Sequence, residues 1–220
     1  MSALTIIRRA FAANALPALC LWSVAGLLVA LYAWHAPTHQ ALDWLASWKM
    51  RLGLGFTMPA QALAAGVLPF LFQRFQKGTH RRTRGRDLPF LMVCFAILGA
   101  LTDAFYRLQA VWWGDDARFA TLLAKVLCDM LLYTPLFCTP FVVAFFAFKN
   151  CGYSLESTRK WLGNDWIAQR VAPVYLSALL VWTPTVFALY ALPLALQFPF
   201  QAIVQCLWGL ILVVLTSAEA

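Results

Sequence analysis

Along the chain, long apolar runs alternate with short polar ones. Six such runs fall at roughly 15–34, 54–73, 88–109, 120–148, 172–191 and 199–217. Most are about as long as the ~20 helical residues that cross a hydrocarbon core. The pattern predicts an all-α, multi-pass transmembrane helical bundle of four to six spans. Pro59, Pro69, Pro135, Pro140 and Pro184 fall inside these runs. Proline is tolerated in membrane helices because neighbouring groups re-satisfy the freed carbonyls, and it kinks them. Segment 153–171 differs: Leu155, Leu162 and Trp166 recur at roughly helical spacing among Glu156, Arg159, Lys160 and Asp165. That pattern predicts an amphipathic helix in the interface plane, with Trp161 and Trp166 at headgroup depth, broken near Gly163 and Asn164.

Composition agrees with lipid as the main solvent. Charged residues make up 12% of the 220 and apolar residues 62%, against about 25% charged in soluble domains. The sequence shows no separate soluble domain, so function is expected within the spans or their loops. Cys20, Cys94, Cys128, Cys138, Cys151 and Cys206 lie in or beside apolar runs without a CxxC pair. They read as small core residues, not as a disulfide framework or zinc site. Arg8 and Arg9 precede a run too long for a signal-peptide core, which reads as a retained span or signal-anchor.

Charge then orients the spans. With six spans, the N-terminus and the loops 74–87 and 149–171 share one side. That side carries Arg8, Arg9, Arg74, Lys77, Arg81, Arg82, Arg84, Arg86, Lys149, Arg159, Lys160 and Arg170, twelve of the 17 basic residues. The opposite side has Lys49, Arg51 and Arg118. This asymmetry predicts both termini on the basic, cytosolic or matrix side. The basic run from Arg74 to Arg86 has no interleaved aromatics for stacking bases, so it reads as a topology determinant against anionic headgroups. Nucleic acid is not an expected partner.

No GxSxG, phosphate loop, HExxH or dinucleotide fingerprint occurs. No catalytic role, metal or cofactor is therefore expected. His35, His39 and Asp43 recur at i, i+4, i+8, but Pro37 between the histidines argues for a polar interfacial loop there. The charges inside the spans carry more information. Asp103 and Arg107 sit four apart near the end of the third run, and Lys125 and Asp129 four apart near the start of the fourth. Antiparallel packing about the 111–118 turn predicts one neutral cluster of the four. Such groups are costly in lipid and are expected to face the bundle interior or a water-filled cavity. Two roles stay open at this point: lining a path, or fixing helix register.

Lys125-x-x-x-Asp129 followed by Pro135 resembles the K-x-x-x-D-Q-x-x-x-x-P core of the Mpv-seventeen and twenty-two-kilodalton peroxisomal membrane protein family. Other landmarks follow in order. "PAQALAAGVL" (59–68) is similar to that family's first core span, and Gly99-Ala-Leu-Thr-Asp-Ala-Phe-Tyr106 to its G-P-x-x-H-x-W-Y signature. Gly152-Tyr-Ser-Leu155, Trp182-Thr-Pro184, Tyr190-Ala-Leu-Pro193 and "VQCLWGLIL" come after. Met130 stands in place of the family's Gln, and Ala100 and Asp103 in place of its Pro and His. The resemblance covers about residues 48 to 217, and makes 1–47 an N-terminal extension with one extra span. It implies a non-enzymatic channel or pore-like protein for small solutes or ions, linked to metabolite or reactive-oxygen homeostasis. The implied location is the mitochondrial inner or peroxisomal membrane, with a plastid or bacterial inner membrane left open. The alternative is a non-transporting membrane scaffold or assembly factor. Expected partners are an anionic bilayer and small solutes, with homo-oligomer formation open.

Overall fold

The computed structural model describes the backbone of residues 3–75 and 84–218, and side chains over 15–16, 18–74 and 84–208. Among the described residues the chain is all-α, with eight helices: α1 (Ala3–Trp34), α2 (Ala36–Leu52), α3 (Leu54–Arg74), α4 (Asp87–Trp113), α5 (Phe119–Asn150), α6 (Leu155–Leu162), α7 (Ile167–Tyr190) and α8 (Leu194–Ala218). Helices α3, α4, α5 and α7 are each long and apolar enough to cross a membrane. The segment Ala18–Trp34 of α1 and helix α2 pass that test together, as a pair bent by 100°.

The bend after Trp34 is chemically simple. Pro37 sits in the first turn of α2, where its missing N–H has no intrahelical partner to lose. The expected polar loop around His35 and His39 is thus a helix start. Gly53, at φ +54, turns the chain from α2 into α3, a left-handed region open to glycine at little cost.

Successive spans run antiparallel. Tyr153, after α5, donates a 2.6 Å hydrogen bond to Asp87 at the start of α4, and Phe119 of α5 packs on Phe187 near the end of α7. The end of α3, residues 84–86 and the 151–154 turn therefore share one end, called here the basic end, and 114–118 and 191–193 the other. Arg74, Arg84 and Arg86 are exposed at the basic end, while Lys77, Arg81 and Arg82 lie outside the described residues. Helix α6 ends at Gly163, and Ile167–Val171 already belongs to α7. The expected interfacial helix is thus the single segment Leu155–Leu162, capped by the Ser154 hydroxyl.

The first half of α8 is the centre of the bundle. Leu196, Gln197, Phe198, Phe200 and Val204 are almost fully buried, the mark of a helix surrounded on all sides. Ala18, Leu21, Ala25, Leu42 and Ala46 join Val181, Leu189, Leu192 and Leu196 in one core. Residues on both sides of position 47 therefore share a single core. Helices α3 and α4 approach closely at Gly99, where a Cβ would lie 2.6 Å from the Gln61 Cβ.

Candidate functional site

The four intramembrane charges do not meet as one cluster; α2 separates them by supplying a partner of its own. Asp103 is fully buried and holds Lys49 Nζ at 2.9 Å on Oδ1 and the Arg107 guanidinium at 2.6 Å on Oδ2. Lys49 is itself buried, while Arg107 is half exposed. Helical spacing could have found this partner. Leu42, Ala46 and Lys49 recur at i, i+4, i+7 and are the three buried residues of α2.

Lys125 turns the other way. Its long stem is buried in the bundle and its ammonium points to the 114–118 turn, 3.6 Å from Asp115 Oδ1 and 5.7 Å from the Tyr190 ring centroid. Nζ makes no hydrogen bond among the described residues. Asp116, in the same turn, accepts from the Arg118 amide at 3.0 Å, and hydrogen bonds from Thr121 and this amide hold its carboxyl below the usual range.

Asp129, one turn further into the bundle, has hydroxyl partners only. Tyr190 donates to Oδ2 at 2.8 Å and Thr134 to Oδ1 at 3.1 Å. Among the described residues no basic group pairs with it. The Gln109 amide donates in turn to the Tyr190 hydroxyl, and the Tyr106 ring meets Tyr190 edge-on at 5.5 Å. Gln109, Tyr106, Tyr190 and Lys125 thus close the bundle between Asp129 and the 114–118 end.

The backbone explains how Asp129 faces inward. Residues Asp129–Cys138 form a π-helical stretch around Pro135, and such bulges open the helix locally. The wider turn buries Cys128, Asp129 and Met130 together, then Tyr133 and Thr134. In a π-turn residue 135 would donate to the Met130 carbonyl, and proline has no N–H to give. The Tyr175 hydroxyl of α7 takes its place, donating to Met130 O at 2.9 Å. Tyr133 and Thr102 exchange a 2.9 Å hydrogen bond, so α4, α5 and α7 all fix this stretch.

Below Asp129 lies a cavity of about 580 Å³, walled by α3, α4, α5, α7 and α8. Phe95, Tyr106, Tyr133, Phe146, Trp182 and Trp208 supply aromatic surface. Asp129 is the one ionisable acid or base of the Asp, Glu, Lys, Arg and His types in the wall. Asp103, Arg107 and Lys125 are not part of it. A smaller cavity of about 130 Å³ shares Ala65, Pro69, Gln73, Phe95 and Phe146 with the first and reaches Asp87 and Lys149 at the basic end. The space therefore runs from mid-bundle toward that end.

The chain matches no protein-family model, no curated protein and no solved structure. The resemblance drawn from sequence rests on its collinear landmarks alone, and these have local structural roles. Gly99 permits the α3–α4 approach, Pro135 sits in the π stretch, and Tyr106 and Trp182 line the cavity. Pro184 lies within α7, whereas Pro193 lies in the α7–α8 turn and accepts from the Leu196 amide at 2.8 Å. Among the described residues no group of three or more His, Cys, Asp or Glu is placed to hold a metal. His39 pairs with Asp43 at 3.2 Å, while His35 bonds to Thr38.

Proposed function

We propose that this chain is an integral membrane protein that takes a small solute into its intramembrane cavity and passes it across the bilayer, in a form closed toward the 114–118 end. The observation that carries this reading is the aromatic-walled cavity with a carboxylate at its closed end, continued by a second cavity toward the basic end. A volume of about 580 Å³ falls within the ~300–1,000 Å³ of small-molecule sites. Closure of such a space on one side is what an alternating or gated path requires. By the positive-inside bias, the basic end faces the cytosol or matrix. Kinship with the Mpv-seventeen family, and the mitochondrial inner or peroxisomal membrane it implies, belongs to the same proposal. No catalytic step is proposed.

The test is flux from proteoliposomes loaded with solutes graded by size and charge. Passage with a size cut-off, reduced by filling the cavity with Ala178→Trp, is the expected result. Vesicles no leakier than protein-free controls would remove the proposal. A second reading has its own support: Asp103, Arg107 and Lys125 lie off the cavity wall, as charges that only fix packing would. If flux is absent while variants at Asp103 lose folded protein, the chain is a membrane scaffold or assembly factor.

A further inference from the structure

The cavity's chemistry narrows what it can hold. Its wall carries one carboxylate and no Lys, Arg or His. That carboxylate is buried, and its two oxygens accept only from neutral hydroxyls. A buried carboxylate without a basic partner is costly in a membrane interior, and either a proton or an opposite charge relieves that cost. Lys49 and Arg107 are engaged with Asp103, and Lys125 is aimed at Asp115. These three cations therefore pair elsewhere, and Lys149 borders only the smaller cavity, its Nζ 5.6 Å from the Phe146 ring centroid.

The same wall offers an unused acceptor besides this carboxylate. Gln201 of α8 lines the cavity, is buried, and has an Oε1 with no hydrogen-bond partner among the described residues. Six aromatic side chains surround the remaining space. Aromatic faces attract ammonium groups, more strongly when water is excluded. Such walls cannot replace the hydration shell of an inorganic cation, which calls for many oxygen ligands. A carboxylate, a free amide oxygen and aromatic faces together match a ligand with N–H donors, positive charge and an apolar body.

We propose that the cavity selects small organic ammonium ions, with Asp129 as counter-ion, Gln201 as acceptor and the aromatic wall around the apolar body. This inference rests on the solute-passing reading for its biological sense, but binding alone tests it. Three probes of nearly the same size separate charge from shape: benzylammonium, benzyl alcohol and benzoate. Each is titrated by calorimetry into the purified full-length protein in lipid nanodiscs at neutral pH. Benzylammonium is expected to bind saturably, at least tenfold tighter than benzyl alcohol, with benzoate weakest. Asp129→Asn keeps the side chain's size and a carbonyl acceptor, and should bring benzylammonium to the level of the alcohol. Trp182→Leu should weaken the ammonium more than the alcohol.

Equal affinity for the three probes, preference for benzoate, or no binding of any probe would overturn the assignment. So would an Asp129→Asn protein that folds and binds benzylammonium as before. Should that variant not fold, the ranking of the three probes on the unmodified protein decides alone. Flux measurements keep the two proposals apart. Selective ammonium binding with impermeable vesicles sinks solute passage and leaves the ligand class standing. Flux without charge preference, together with equal probe binding, does the reverse.

Discussion

Lys49 Nζ of α2 lies 2.9 Å from the buried Oδ1 of Asp103 in α4. The ion pair fastens the bent α1–α2 pair to the spanning helices, and the half-exposed Arg107 adds a second cation on Oδ2. Lys49→Ala leaves Asp103 with one half-exposed partner. We expect a loss of about 2–3 kcal/mol, less than the ~3–5 kcal/mol of a buried charge left wholly unpaired. The double variant Lys49→Met/Asp103→Asn should recover most of it, because both buried charges are then gone and Arg107 can turn to solvent. Thermal unfolding in nanodiscs reads this. A double variant no more stable than Lys49→Ala would show that the pair is not what fastens α2.

Gly99 gives a sharper steric case. A Cβ there would lie 2.6 Å from Gln61 Cβ and 3.3 Å from the Thr57 carbonyl oxygen, both on α3. Neither neighbour is the free end of a flexible chain, so the helices must part. Gly99→Ala should cost about 1–3 kcal/mol, the usual range for overpacking. Gly26→Ala, whose new methyl would have nothing within 4 Å, should cost far less. Comparable melting temperatures for the two variants would contradict the close approach.

The spans were legible because apolar length is itself the physical requirement for crossing a bilayer. The runs at 54–73, 88–109 and 120–148 agree with α3, α4 and α5 to within a few residues. Helix α2 was hidden because Pro37 looks like a breaker unless it falls in a first turn, and only the fold shows that it does. Helix α8 starts at Leu194 and not at 199, since Pro199 is tolerated inside the helix. The charge cluster was half legible. Spacing identified Asp103, Arg107, Lys125 and Asp129 as interior, but not where each side chain turns. Lys125 is long enough to reach the loop, and Lys49 arrives from a segment whose polarity suggests a solvated loop. The cavity was not legible at all, because it depends on five helices and a π-turn.

At Lys125, stem and charge make separable contributions. The ammonium has Asp115 at 3.6 Å and no hydrogen bond, so its pairing offsets little of its burial. Replacing such a charge with an apolar side chain of similar volume is often neutral or stabilising. Lys125→Met should therefore stay within about 1 kcal/mol of the parent protein. Lys125→Ala removes the buried stem as well and should cost about 2–4 kcal/mol, as large-to-small changes in cores do. Chemical denaturation of both variants checks the split. A Met variant as weak as the Ala variant would mean that the charge, not the stem, stabilises the bundle.

Tyr153 holds the basic end together. It has a positive φ of 67, an uncommon state for a bulky residue, and its hydroxyl bonds to the buried Asp87. Burial first, then the bond to Asp87, pushes its hydroxyl from the ordinary 10.0 up to about 12. Because the folded value is raised, the protein binds this proton more tightly than the unfolded chain. The stabilisation is complete below pH 10 and declines as pH rises through about 12. Tyr153→Phe should lose about 1.5–3 kcal/mol at neutral pH, as for a hydrogen bond to a charged group. It should also lose less stability than the parent between pH 10 and 12. Parallel alkaline unfolding curves would refute the assignment.

The π stretch links stability to the cavity through Pro135 and Tyr175. The Tyr175 hydroxyl satisfies the Met130 carbonyl that Pro135 cannot. Tyr175→Phe in the parent chain should cost about 1 kcal/mol, the net worth of one such hydrogen bond. Pro135→Ala restores an N–H and removes a poor helix former, so this variant should be the more stable protein. Its Asp129–Cys138 segment can then tighten toward α-helical geometry, rotating Asp129, Tyr133 and Thr134 away from the positions they now share in the wall. Flux and benzylammonium binding should fall as melting temperature rises, a trade-off expected where an irregular, less stable segment shapes a site. A double-mutant cycle isolates the cause: Tyr175→Phe should cost clearly less in the Pro135→Ala background, since the carbonyl there has a backbone donor. An equal cost in both backgrounds would show that Tyr175 acts through packing and not through the carbonyl that the proline leaves free.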